Sequence, residues 1–256
     1  PRLGVLHTWI ATQDCGWVRY TLDRARVPYT LIHDGDLRAG KLRERFDVIL
    51  FPDSWGDFTD MVHGIDPKYG PLPYTRTAAS PSHGVPDSSP DITGGMGFAG
   101  LAALQRFVQE GGVLVALANA GTLPAVGGLA RGIRYVPEGT VSSPGSEVQT
   151  KVLRPLHPLA YGYETSPSVF RGSGPLFDVA ERDRKLVVVQ FGTKQVPEPD
   201  EEPKAAGRDS AAAGPAPAGP GGGKLVLSGL AKGVEKLDGM PAILDAPARR
   251  AWMEPP

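Results

Sequence analysis

Three short apolar runs near the amino end, Leu3-Gly-Val-Leu-His7, Tyr29-Thr-Leu-Ile-His33 and Phe46-Asp-Val-Ile-Leu-Phe51, decide how this chain reads. Each is too short for a helix, is dominated by aliphatic residues, and is bounded by polar or turn-forming sequence. That is the pattern of strands buried on both faces of a parallel sheet. Between the first two, Asp14 to Arg26 sets Trp17, Val18, Thr21, Leu22 and Ala25 on one helical face and pairs Arg19 with Asp23 on the other. Asp14 is the expected N-cap. A polar connection, Asp34 to Glu44, leads into the third run, so the chain begins βαβ(α)β.

Residues 52–93 are rich in Pro, Gly, Ser and Asp and carry no sustained period, which marks a long loop that is either functional or disordered. Gly94-Gly-Met-Gly97 then opens a helix with an apolar stripe of Phe98, Leu101, Leu104, Phe107 and Val108, and Gly111-Gly112 ends it. Val113-Leu-Val-Ala-Leu117 follows as a fourth, strongly buried strand. Strands alternating with helices this far predict a doubly wound, flavodoxin-like α/β sheet, mainly parallel, with right-handed crossovers. Beyond Ala130 the pattern changes to short runs at Val148–Leu153, Leu176–Val179 and Lys185–Phe191, expected as an antiparallel β annex on one edge of the sheet. Lys224–Ser228 and Pro241–Asp245 read as two more strands.

The segment 197–223 holds 6 Pro, 6 Gly and 7 Ala among its 27 residues and no aromatic residue, too little apolar area to offset the entropy of ordering it. It reads as a disordered insertion within a single 1–246 domain, followed by an irregular tail at 247–256. Across the chain, Gly and Pro make up 59 of 256 residues, about twice the usual share, so loops are abundant.

Composition narrows the function classes. Lys+Arg 27 against Asp+Glu 28 gives a net charge of -1, which offers no basic surplus for a nucleic-acid backbone. No apolar run approaches the roughly 20 residues of a membrane span. The single Cys15 can form no internal disulfide. The chain starts at Pro1 with no leader pattern and reads as a piece of a longer or processed protein.

In an open α/β sheet, ligands bind beyond the carboxyl ends of the strands. Those ends carry His7, Thr8 and Trp9 after the first strand, Asp53, Ser54 and Trp55 after the third, and Asn119 after the fourth. The candidate ligand-binding rim is therefore His7, Trp9, Asp53, Ser54, Trp55 and Asn119, with the 52–93 loop as its cover. The alternative is an ordinary rim of loop polar groups and half-buried tryptophans.

Leu117-Ala-Asn-Ala-Gly121 lies at the strand-to-helix turn where hydrolytic α/β folds place a nucleophile of the form G-x-S-x-G or G-x-C-x-G. Asn119 occupies that position, and a carboxamide has no group a base could activate. No catalytic residue is assigned. Cys15, at a helix start, is either a structural cysteine or a nucleophile activated by the helix dipole. The five histidines form no H-E-x-x-H or H-x-x-E pair. His33 and His63 each precede an Asp by three, at Asp36 and Asp66, in turn-like sequence, and no metal ligand is assigned. Gly94-Gly-Met-Gly97 is either an anion cradle or a flexible helix entry. His157-Pro-Leu-Ala-Tyr-Gly162 is similar to the His-Pro-Glu end of an amidotransferase triad, but Leu159 stands in place of the carboxylate, which leaves a turn.

Several segments together resemble the carboxy-terminal class I glutamine amidotransferase-like domain of bacterial zinc carboxypeptidases of the carboxypeptidase A type. They are Asp14-Cys-Gly-Trp-Val-Arg19, Leu37 through Leu50, Gly97 through Gly112, and His157 through Gly162, and the resemblance spans roughly residues 1–195 and 224–246. It implies an amidotransferase-like fold and a non-catalytic accessory module that binds or positions substrate for a metallocarboxypeptidase, a proteolytic enzyme in the parent chain. It further implies an upstream peptidase domain as partner, zinc held only in that domain, and a secreted or periplasmic location. Two departures stand out: the long insertion, and Ala248-Arg-Arg-Ala-Trp-Met-Glu-Pro-Pro256 where the family continues with a last apolar strand, as if this reading were truncated or frameshifted. The alternatives are a free-standing α/β protein that binds a small molecule or sugar at the same rim, and an amidase-type hydrolase using Cys15 or Ser54.

Overall fold

The computed structural model describes residues 1–136, 139–163, 165–192, 225–229 and 232–248. The 197–223 insertion and most of the 247–256 tail lie outside the described residues. Within this span the chain groups into two compact units: Pro1–Arg131 with Pro247 and Ala248, and Gly132–Ala246.

The first unit contains the predicted parallel sheet. Strands β1 (Leu3–Leu6), β2 (Thr30–Ile32), β3 (Val48–Phe51) and β4 (Val113–Ala116) are hydrogen-bonded in the order β2-β1-β3-β4. All three pairings are parallel, with Val5 opposite Leu31 on one side and Leu50 on the other. Gly4 leaves room beside β1: a Cβ there would stand 3.2 Å from Ile32 Cδ1 and 3.3 Å from Phe46 Cδ1. The chain steps from β1 out to β2 and then returns past β1 to β3, so the winding reverses between β1 and β3. The carboxyl ends of these two strands flank the switch point of a doubly wound sheet.

Helices α1 (Gln13–Arg24), α2 (Asp34–Ala39), α3 (Leu42–Arg45), α4 (Phe58–His63), α5 (Gly97–Gln109) and α6 (Thr122–Val126) complete the unit. Their core joins Leu6, Ile32, Ile49 and Phe51 of the strands to Leu37, Met61, Leu104, Phe107 and Leu123 of the helices. Several local expectations are corrected. Thr12, not Asp14, is the N-cap of α1, and Asp14 lies in the first turn. Cys15 is the buried residue of α1, whereas Trp17 is 63% exposed. In α5 the buried face is Gly100, Ala103, Leu104 and Phe107, and Phe98 turns outward. β4 is the end strand of this sheet and only half-buried, because it has one hydrogen-bonded neighbour there. The loop after β3 also contains a helix that its sequence does not announce: α4, whose N-cap Asp57 accepts from the N–H groups of Thr59 and Asp60.

The second unit is antiparallel. Strands β5 (Ile133–Val136), β6 (Ser146–Val152), β7 (Ser168–Arg171), β8 (Leu176–Val179), β9 (Val187–Phe191), β10 (Val226–Gly229) and β11 (Pro241–Leu244) form two sheets. One has the order β10-β6-β9-β11 with β7 also on β6, and the other is the β5-β8 pair. Among the described residues no strand of this annex is paired with the parallel sheet, so it is a sheet system of its own.

The two faces of α5 give a direct check on the core. Phe107→Ala is expected to cost about 3–5 kcal/mol, the usual range for emptying a buried phenylalanine site. Phe98→Ala should stay within roughly 0.5 kcal/mol. Urea unfolding of both variants measures the difference, and comparable losses would mean that the helix is phased as the sequence stripe suggested.

Candidate functional site

The four parallel strands end on one rim, and the candidate residues follow β1, β3 and β4. After β1, His7 is buried and its N–H donates to the Ile32 carbonyl at 2.8 Å, which extends the β1-β2 ladder by one rung. Its ring lies edge-on to two others, with centroids 5.5 Å from Trp9 and 5.2 Å from His33. Trp9 and His33 are stacked at 4.6 Å with 7° between their planes. Tyr74 packs against Trp9 at 5.7 Å, and His83 stacks on Tyr74 at 4.9 Å. The rim over β1 and β2 is thus closed by a row of aromatic and imidazole rings.

Asp87, from the long loop, locks this row in place. The two nitrogens of His33 face acceptors, with Nδ1 2.9 Å from the His7 carbonyl and Nε2 3.0 Å from Asp87 Oδ2. The two contacts fix the ring between β1 and the long loop. The Ser88 N–H and then the His33 ring hold Asp87 below the usual carboxylate range.

Over β3 and β4 a second arrangement forms. Asp53 Oδ1 accepts the backbone N–H of Asn119 at 2.9 Å. Burial raises the Asp53 pKa, opposed by the Asn119 N–H and reinforced by the nearby charge of Asp14. Asn119 lies in a 3-10 turn, Ala118–Gly121, and the left-handed backbone of that turn falls on Ala118, at φ 46°. Neither side chain is ionisable. Of the remaining candidates, Ser54 is fully buried beside Asp53, while Trp55 is largely exposed and makes no ring contact among the described residues.

Among the described residues, three buried side-chain atoms have no hydrogen-bonding partner: His7 Nδ1, Asp34 Oδ1 and Ser54 Oγ. Each lies just beyond β1, β2 or β3, with Asp34 the first residue of α2. Leaving such an atom unpaired costs about 1–3 kcal/mol, so their convergence on one rim marks the place where the fold is least satisfied. Burial, with His33 and Arg19 adding to it, pushes the His7 pKa down to about 4. Burial likewise pushes Asp34 up to about 7, against the opposing effects of Arg38 and His33. At mildly acidic pH both groups are therefore uncharged.

His33, Asp34, Tyr74, His83 and Asp87 were not among the sequence-based site residues, and the only available signal was their position at a strand end or in the long loop. Cys15 is buried, and burial lifts its thiol to about 11, so it stays protonated at neutral pH. Gly94–Gly97 enters α5 with Gly94 and Gly97 at positive φ, and Arg38 donates to the Gly95 carbonyl there. In the second unit, His157 acquires a carboxylate from far along the chain. Its Nδ1 accepts the Leu159 N–H at 3.2 Å, which places the proton on Nε2, 3.0 Å from Asp245 Oδ2. With both nitrogens engaged, this pair ties the turn at Pro158–Ala160 to the end of β11. No group of three potential metal-binding side chains occurs among the described residues, and none of their helices is long and apolar enough to cross a membrane.

No family model matches the chain. No curated protein matches it either. Solved structures do, at low similarity. A ThuA-like protein from Bacteroides uniformis is 11% identical with a TM-score of 0.39, covering 70% of this chain and 60% of its own length. A GMP synthase subunit from Thermoplasma acidophilum is 7% identical with a TM-score of 0.42, covering 69% of this chain and 67% of that one. A cytoplasmic protein from Salmonella typhimurium is 13% identical with a TM-score of 0.37, covering 71% and 75%. The chain thus spans less than two thirds of the ThuA-like protein.

The two shifted groups give opposite pH signatures. For Asp34, between its ordinary value of 3.8 and about 7 the unfolded chain has released a proton that the folded chain keeps, so stability falls as pH rises. For His7, between about 4 and its ordinary 6.5 the unfolded chain holds a proton that the folded chain refuses, so stability rises with pH. Each slope is at most about 1.4 kcal/mol per pH unit, and from about pH 4 to 6.5 they offset each other. Relative to the parent chain, Asp34→Asn should make stability climb with pH across that window, and His7→Gln should make it decline. Urea midpoints at pH 5 and 6.5 measure both, and a shared sign would refute the burial account.

Proposed function

We propose that this chain is a non-catalytic binding module that takes its ligand at the carboxyl rim of the parallel sheet. On the resemblance of its sequence segments, it serves as the accessory domain of a secreted or periplasmic zinc metallocarboxypeptidase, where it holds or positions substrate for an upstream peptidase domain. The observation that carries the non-catalytic part is the strand-end turn after β4. Its left-handed residue is Ala118 and the next is Asn119, so the apex presents a methyl group and a carboxamide where acyl-transfer chemistry needs a thiol or hydroxyl with a base beside it. Asp53, the carboxylate at that turn, accepts the Asn119 N–H through Oδ1. The thiol of Cys15 is buried and raised, which is opposite to what a nucleophilic cysteine requires. The binding part rests on the unpartnered atoms at the same rim.

A free-standing binding protein would use the same rim, and the two readings differ only in what precedes Pro1. In-frame coding sequence with an H-x-x-E pair and a later histidine is expected upstream, and a start codon with nothing ahead of it would favour the free-standing form. The purified chain should bind no stoichiometric zinc and release neither ammonia from glutamine nor amino acids from peptide carboxyl ends. Metal analysis and product assays measure this. Hydrolysis that survives purification and is lost in Cys15→Ala would replace the module reading with that of an amidase-type enzyme.

A further inference from the structure

The unpartnered atoms His7 Nδ1, Asp34 Oδ1 and Ser54 Oγ belong to residues 3%, 5% and 0% exposed, at the ends of three adjacent strands. Neighbouring strands lie about 4.8 Å apart, so these turns span a patch the width of a small molecule. A long excursion of the chain folds over the β1 and β2 side of this patch. Ile65 and Gly94 form an antiparallel bridge, and Gly94 N–H donates to the Ile65 carbonyl at 2.6 Å, so residues 66–93 leave and return at one point. The neck is tight: a Cβ on Gly64 would stand 2.5 Å from the Gly94 carbonyl oxygen, and one on Gly95 2.6 Å from that of Val62. No residue from 66 to 93 is buried. The excursion touches the rim through Tyr74 on Trp9 and Asp87 on His33.

A segment anchored at one neck, without a buried residue of its own and held to the rim by the Tyr74–Trp9 ring contact and the Asp87–His33 hydrogen bond, opens more easily than the sheet beneath it. What it covers is polar, and two of the atoms without a partner belong to neutral groups: burial keeps the His7 imidazole uncharged, and Ser54 carries a hydroxyl. Hydroxyl or carboxamide groups supply both donors and acceptors to a neutral imidazole and a serine hydroxyl.

We infer that residues 66–93 are a hinged cover over a binding site at the β1/β3 switch point, and that the site takes an uncharged small molecule whose hydroxyl or carboxamide groups pair with His7 Nδ1 and Ser54 Oγ. This rests on the proposed binding role of the rim and specifies its ligand chemistry. Both group types supply the same hydrogen bonds, and their sources are separated by the test.

Hydrogen exchange of the full chain, followed by mass spectrometry, tests both parts. Amides of 66–93 should exchange at least about tenfold faster than those of β1 and β3, through an opening separate from global unfolding. Asp87→Asn should speed them a further roughly fivefold while leaving α5 unchanged. Two neutral probe sets are then added, monosaccharides with linear polyols in one arm and primary amides such as acetamide and N-acetylglycinamide in the other, with glucuronate and acetate as charged controls. One neutral arm is expected to slow exchange in 66–93, and Ser54→Ala, a small change that spares the fold, should weaken that protection about tenfold. His7→Gln should do the same. Equal protection of 66–93 and β3 overturns the cover. Protection by the charged controls alone, by neither arm, or undiminished in Ser54→Ala overturns the ligand assignment. Any of these failures without hydrolysis leaves the module reading intact, whereas ammonia release would remove that reading without touching the cover.

Discussion

The parallel pairing of β1 with β3, Leu3 on Val48 through Val5 on Leu50, is the constraint on which the first unit depends. β2 occupies the other side of β1, so the connection from β2 must pass over β1 to reach β3. The connections that leave β1 and β3 therefore diverge at the carboxyl ends of these strands. The side chains that follow, His7 on one side and Asp53 with Ser54 on the other, inherit that position, and the 66–93 excursion is the part of the chain that covers the His7 side.

The strands were legible because burial on both faces leaves a plain signature, a short aliphatic run with polar ends, and all four parallel strands lie where those runs do. The helix faces were less so. Stripes built on the largest residues placed Trp17 and Phe98 inward, yet α1 buries Cys15 and α5 buries Gly100 and Ala103. The reason is distance. A Cβ on Gly100 would stand 3.1 Å from the Leu37 Cβ, so α5 approaches α2 closely enough that small residues define the contact and a phenylalanine at the margin turns away. Hydrophobic periodicity ranks residues by transfer energy, and here the decisive quantity was how near two backbones come.

The candidate site divides along the same line. His7, Asp53 and Asn119 were legible because strand ends are set by the sheet. Their partners were not. Asp87 reaches His33 across 54 residues, and Asp245 reaches His157 across 88. No spacing rule connects such positions, and the loop that supplies Asp87 has no period that would fix which of its residues returns to the rim. The burial of Asp34 was hidden for a related reason, since an acidic residue in the first turn of a short helix ordinarily faces water.

The turn after β4 is set by a contact from the neighbouring strand end. A left-handed residue other than glycine costs roughly 1–2 kcal/mol, and Ala118 adopts it without contributing a reactive group. What holds it is the carboxylate of Asp53 on the neighbouring strand end, which captures the Asn119 N–H immediately beyond. That hydrogen bond needs Asp53 as an acceptor, and burial of the same group would otherwise favour its protonated form. Asp53 clamps the turn through that bond, so a carboxylate at the end of β3 sets the backbone of the neighbouring strand end.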